Sequence, residues 1–169
     1  MGAGHPLIFL MFLLIGSDRD KVGKSTPHYQ QQTDYSCGAA CLSMLLDLPE
    51  AECRKLAHTT RTGTHISNIA GALIRAGRKV HSIHLYAPLE QHLPELTVQS
   101  MSWPLILSLE FKHEGRDRIG RKRGYARHHA VVLSGGKFLD PAEWHELDPE
   151  AIGHLHQRGV TIKQYLLVE

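Results

Sequence analysis

The apolar residues of this chain change their repeat at Gly77. Before it they recur at helical spacing, and beyond it they alternate, so the chain must build an α+β fold with helices first and a sheet after. The spacing predicts a helix from Cys37 to about Leu46, with Ser36 as N-cap and Ala40, Leu42, Met44, Leu45 and Leu46 at buried positions. Asp47-Leu48-Pro49 ends it. Pro49, at a first helical position, opens a second helix through Ala51, Cys53, Leu56 and Ala57. Gly63-Thr64 precedes a third, in which Ile66, Ile69, Ala70, Leu73 and Ile74 recur and Gly77 provides the stop.

Beyond Gly77, Val80, Ile83 and Leu85 suggest a strand, and PLEQHLPEL a short helical turn or two. Trp103 to Phe111 reads as a largely buried strand entered at Pro104. A long polar loop follows, containing the basic run Arg116 to Arg127. Val131, Val132 and Leu133 form one strand, Ser134-Gly135-Gly136 a tight turn and Lys137 to Asp140 the partner strand. A short helix around Pro149 to Gln157 and a last strand, VTIKQYLLV, complete the order.

With 169 residues the chain holds one domain, and a net charge of +2 gives no global reason to bind nucleic acid. Cys37, Cys41 and Cys53 are odd in number and contain no C-x-x-C pair, so at least one thiol is free and neither a disulfide framework nor structural zinc fits. Residues 6 to 16, PLIFLMFLLIG, are almost wholly apolar; the run is shorter than the ~20 residues of a membrane helix and fits a signal-peptide core. Export, or anchoring at a bacterial membrane through residues 6–16, is therefore expected, although no Lys or Arg precedes the run and a buried strand would look the same; without it the protein would be cytoplasmic. Residues 1–28 are assigned to this leader and a polar linker, and 29–169 to the folded domain. GSDRDKVGKST imitates a phosphate-binding loop, but Asp18 occupies the position that needs glycine.

Cys37 lies where a polar turn meets an apolar helix. Unsatisfied N–H groups and the positive end of the helix dipole favour thiolate there. A cysteine nucleophile needs a base, and the base needs an acceptor on its other ring nitrogen. His129 and Asp140, near the start and end of paired strands in one hairpin, are the natural candidates. His128 and His129 face opposite sides of the sheet, so only one can address the thiol.

The segment from Gln31 to Leu46, the stretch GTHISNIAGALIRAGRKV, the strand WPLILSLEF and the hairpin HHAVVLSGGKFLDPAEW resemble, in order, the motifs of the papain-like bacteriocin-processing peptidases, the double-glycine leader peptidase family. The resemblance covers most of the domain. It implies a papain-like fold, with N-terminal helices carrying the nucleophile packed on an antiparallel sheet that carries His and Asp. It also implies Cys37 as nucleophile, His129 as general base and acid, Asp140 as the residue orienting His129, and Gln31 as oxyanion donor beside the Cys37 backbone N–H. Gln32 competes with Gln31 and is disfavoured by its spacing. The chain departs from the family pattern at Ala130, which replaces an aromatic residue, in its shorter hairpin to Asp140, and at Cys41.

The function expected is a cysteine peptidase that cuts a peptide or protein substrate after a Gly-Gly-like small pair through a thioester, with a separate transporter as a possible partner and no cofactor. The alternatives are a non-catalytic peptide-binding module and an acyltransferase using the same thioester. No metal is expected, because His81 with His84 and His154 with His156 lack a third ligand at recognisable spacing. The basic run at 116–127 reads as a solvated loop or a lid, and Cys41 as a packed residue or a redox partner of Cys37.

Overall fold

A computed structural model of the chain describes residues 26–116, 122–142 and 160–169, with side chains described outside 112–127. Among them, five strands form one antiparallel sheet. In chain order the elements are α1 (Cys37–Leu46), α2 (Glu50–Leu56), α3 (Ile66–Arg75), β1 (Val80–Pro88), α4 (Leu89–Ser100), β2 (Leu105–Arg116), β3 (Lys122–Ser134), β4 (Lys137–Leu139) and β5 (Thr161–Val168). The sheet order is β1-β5-β2-β3-β4, so the final strand enters between the first and second.

The alternation of the strands sorts their side chains between two cores. Ile106, Ala130, Val132, Leu139, Leu166 and Val168 face α1, α2 and α3, whereas Leu105, Leu107, Leu109, Val131, Leu133, Phe138 and Leu167 face α4. Both faces are covered, which is why β2 and β3 carry continuous apolar runs at Leu105–Leu107 and Val131–Leu133. A fully buried leucine such as Leu42 or Leu73 contributes roughly 1.5–3 kcal/mol by leaving water, so the packing of α1 and α3 against the sheet outweighs any weakness in their local propensity.

The third helix stops as expected: Gly77 follows it at φ 82. Ile74, however, is 58% exposed; only Ile69, Ala72 and Leu73 of this helix are buried. Pro49 is the N-cap of α2, not its first helical residue. α4 is longer than the short helical turn or two expected of PLEQHLPEL, because Leu89, Leu93 and Leu96 share one buried face and carry the helix through Pro94.

Residues 112–116 and 122–127, expected in a polar loop, are instead strand: β2 and β3 pair in continuous register from Leu105↔Leu133 to Arg116↔Lys122, while 117–121 lie outside the described residues. β5 accompanies β2 only as far as Glu110↔Thr161, so beyond that point, among the described residues, the pair continues as a two-stranded ribbon. Its sequence has no apolar alternation, and the hydrophobic period was therefore silent where backbone pairing persists. The expected helix around Pro149 to Gln157 lies outside the described residues. So does the apolar run at 6–16; among the described residues no helix is long and apolar enough to cross a membrane.

Candidate active site

The β3–β4 hairpin turns at Gly135 and Gly136, whose φ values of 58° and 78° suit a two-residue turn that other side chains would strain. The turn is fixed from outside: the Gly135 N–H donates to the Ser100 carbonyl at 2.9 Å, and the Gly136 N–H to Ser100 Oγ at 3.0 Å. A Cβ on Gly136 would come within 2.7 Å of Met101 Cε, so the end of α4 presses directly on the turn. The hairpin arms consequently hold a fixed register, Val132↔Leu139 being the last ladder pair before the site.

Past that pair, His129 and Asp140 meet. His129 Nε2 lies 2.7 Å from Asp140 Oδ1, with both side chains largely buried. The same oxygen accepts the Ala142 N–H at 2.8 Å. With Nε2 committed to the carboxylate, Nδ1 is the ring nitrogen left for the thiol, and the side chains of Cys37 and His129 are hydrogen-bonded. His128 takes the other side of the strand; it is mostly exposed and lies 4.0 Å from Glu110, which Lys163 contacts at 3.0 Å.

By alternation His129 belongs with Val131 and Leu133 on the α4 side, and its ring centroid is 6.3 Å from that of Phe111. Cys37 nevertheless begins a helix on the opposite side. The two meet because the thiol reaches the edge of β3 and accepts the Ala130 N–H there. In a two-residue hairpin Ser134 and Lys137 form a hydrogen-bonded pair, so the N–H groups of Ser134, Val132 and Ala130 all point toward β4. β4 stops at Leu139 and leaves Ala130 unpaired on that side; the thiol fills the place.

Ser36 occupies the N-cap position of α1 but does not cap it. Its hydroxyl donates to the Thr33 carbonyl at 3.0 Å and accepts the Thr33 N–H at 3.1 Å, closing the turn before the helix. The first-turn donors of α1 are thereby left for the thiolate, which accepts the Gly38 N–H.

These contacts decide the protonation states. Burial pushes the Cys37 thiol up, but the hydrogen bond and positive charge of His129, with the Ala130 and Gly38 N–H groups, outweigh burial and hold it below the ordinary thiol value. Burial works against the His129 cation too, yet Asp140 and Cys37 push its pKa up to about 10. Burial raises Asp140, and the His129 bond and charge, the Ala142 N–H and the charge of His28 bring it below the usual carboxylate range. The favoured state is a thiolate–imidazolium pair with an ionised carboxylate behind it. Cys41, fully buried one turn along α1, is pushed far up by burial and by the negative charges of Cys37 and Asp140, and stays a neutral packed thiol.

Gln31 and Gln32 diverge. The Gln31 N–H donates to the Pro141 carbonyl at 2.8 Å, which ties it beside Asp140, and its buried side-chain oxygen has no hydrogen-bond partner. Gln32 is exposed, and its N–H donates to Glu50 Oε2 at 2.8 Å on the α2 side. Sequence reasoning missed His28, whose Nε2 lies 2.8 Å from the Asp140 carbonyl oxygen; an isolated histidine before the helix has no spacing signal. His81 pairs with Glu169 at 3.3 Å, and among the described residues no three His, Cys, Asp or Glu side chains gather as a metal site. His154 and His156 lie outside the described residues.

A helical layer supplying the thiol and an antiparallel sheet supplying the imidazole divide the work as papain-like enzymes do, and the protein is a cysteine peptidase of that fold. It belongs to the Peptidase C39 family, whose sequence model matches residues 25–113, more than half of the 169-residue chain. The match includes Gln31 and Cys37; His129 and Asp140 lie beyond it and join the site through the fold.

Two solved structures share that fold. One, a double glycine motif protease from an AMS/PCAT transporter in complex with the leader peptide, is 18% identical over 85% of this chain and 91% of its own, with a TM-score of 0.56. The other, the peptidase domain of Streptococcus ComA, a bi-functional ABC transporter involved in a quorum-sensing pathway, is 16% identical over 85% of this chain and 98% of its own, with a TM-score of 0.53. No curated protein sequence matches the chain.

Proposed function

We propose that the peptidase cuts its substrate after a Gly-Gly-like pair at the end of a leader, with Cys37 as nucleophile, His129 as proton carrier, Asp140 as its orienting acceptor and Gln31 as oxyanion donor. The observation that carries the reading is the unbroken series Cys37–His129–Asp140, whose electrostatics favour thiolate beside imidazolium. The thiolate attacks the scissile carbonyl carbon, and the carbonyl electrons move to oxygen. The Gln31 amide and the Cys37 N–H receive that oxyanion. His129 gives its proton to the departing amine, leaving a thioester on Cys37. Neutral His129 then takes a proton from water, the hydroxide displaces the thiolate, and the leader is released with a free carboxylate. The family and the structural neighbours support a leader-peptide substrate and a transporter as partner. We also assign residues 6–16 to a leader or anchor and 29–169 to the peptidase domain, on the apolar run and the polar stretch after it.

The test combines pH-dependent alkylation of Cys37 with cleavage of Gly-Gly peptides. Wild-type Cys37 should alkylate at pH values where a model thiol is inert, His129→Ala should lose this advantage, and Cys37→Ala should abolish cleavage. Alkylation no faster than a model thiol, with cleavage intact in Cys37→Ala, would overturn the reading.

A further inference from the structure

Asp140 stands where the sheet can no longer hold it. The last ladder pair is Val132↔Leu139, and the residue after Asp140, Pro141, has no N–H with which to continue. What holds the Asp140 backbone instead is the segment before α1. Thr26 Oγ1 lies 2.8 Å from Ser134 Oγ, His28 Nε2 lies 2.8 Å from the Asp140 carbonyl oxygen, and the Gln31 N–H donates to the Pro141 carbonyl at 2.8 Å. A carbonyl only accepts, so His28 Nε2 carries the proton and donates it. The segment thus spans the hairpin from its turn to the residue after the carboxylate.

We propose that His28 is a positioning residue for the Cys37–His129–Asp140 series: its donated hydrogen bond fixes the Asp140 peptide, and through it the carboxylate that meets His129. The inference rests on the reading of Asp140 as the orienting group. The Asp140 side chain is anchored on one side by its own turn, through Ala142, and the peptide that carries it is anchored by His28. Loss of the His28 donor leaves a partly buried carbonyl without its partner and frees the 140–141 peptide to rotate. Gln31 is bonded to the next carbonyl, so the same segment sets the oxyanion donor and the carboxylate together.

The experiment compares the full-length wild type, His28→Ala, His28→Gln, Asp140→Ala and the His28→Ala/Asp140→Ala double variant. Each is read by turnover of a Gly-Gly peptide and by the rate of Cys37 alkylation along the acid limb of its pH profile, which stays measurable when turnover is lost. His28→Ala should lower kcat and the acid-limb alkylation rate about five- to tenfold with KM little changed. His28→Gln, whose amide places a donor near the former Nε2, should recover most of that loss. In the double variant alkylation should be no slower than in Asp140→Ala alone. An equal loss in both backgrounds, or no recovery with glutamine, overturns the positioning role. Wild-type turnover and alkylation in Asp140→Ala would overturn the orienting role of Asp140 itself, and the proposal with it.

Discussion

His129 Nε2 and Asp140 Oδ1 stand 2.7 Å apart on a hairpin whose ladder has already ended. Their alignment depends on contacts from outside the strands: Ala142 on the carboxylate, and the end of α4 on the turn. The relationship ties the charge of one residue to the reactivity of a third. Asp140→Asn keeps an acceptor at the same place but removes the negative charge, so the His129 cation loses support and the Cys37 thiolate loses its counter-ion. The apparent pKa of the thiol should rise. Iodoacetamide kinetics across pH read this directly, and an unmoved acid limb would mean that the carboxylate charge does not reach Cys37.

Gln31 and Gln32 separate cleanly by substitution. Gln31 is bound beside Asp140, whereas Gln32 is exposed on the α2 side. Gln31→Ala should cut kcat by about 100- to 1,000-fold, the usual cost of one oxyanion donor, with alkylation of Cys37 preserved because no oxyanion forms in that reaction. Gln32→Ala should leave both within twofold or so. Equal losses in the two variants, measured in one peptide-cleavage assay, would refute the assignment.

Gly38 is the point where α3 closes on α1. A Cβ there would lie 2.9 Å from both Ile69 Cδ1 and Thr64 Cβ, and Ile69 is 1% exposed with no room to withdraw. Gly38→Ala should therefore cost about 1–3 kcal/mol in urea unfolding, the usual penalty of overpacking. Because Gly38 follows the thiol and its N–H supports the thiolate, alkylation should slow as well. Full stability in the variant would show that the Thr64 turn yields more easily than its contacts imply.

The elements that sequence made legible are those with a strong period or special backbone. Gly135-Gly136 announced its hairpin because two consecutive positive φ values demand such residues. α1 and α3 announced themselves through apolar spacing. The ribbon beyond Phe111 did not, since its sequence carries no apolar alternation to mark the backbone pairing, and the length of α4 was hidden because tertiary burial of Leu89, Leu93 and Leu96 overrides Pro94. At the candidate site, the meeting of Cys37, His129 and Asp140 was readable from helix start and hairpin. Alternation alone left the choice between His128 and His129 open, because it treats the thiol as lying over a sheet face; Cys37 in fact meets the edge of β3 at the Ala130 N–H. Ser36 also fits the usual N-cap pattern, yet its hydroxyl serves Thr33 and leaves the helix donors to the thiol.

The imidazole–carboxylate pair also sets how stability depends on pH. His129 has its pKa raised from 6.5 to about 10, so its contribution is complete below 6.5 and is lost as pH rises through about 10. Asp140 is lowered from 3.8, so its contribution is complete above 3.8 and is lost as pH falls through the folded value. Cys37, lowered from 9.0, acts in the sense of Asp140 and would blur the alkaline limb. A Cys37→Ser background removes it and keeps the sign for His129, whose bond to Asp140 remains. Urea unfolding in that background should show stability falling with pH above 6.5. Adding His129→Gln should flatten the fall, since glutamine has no proton to lose. Parallel alkaline limbs in the two proteins would show that the His129 cation is no better stabilised in the folded state than in the unfolded chain.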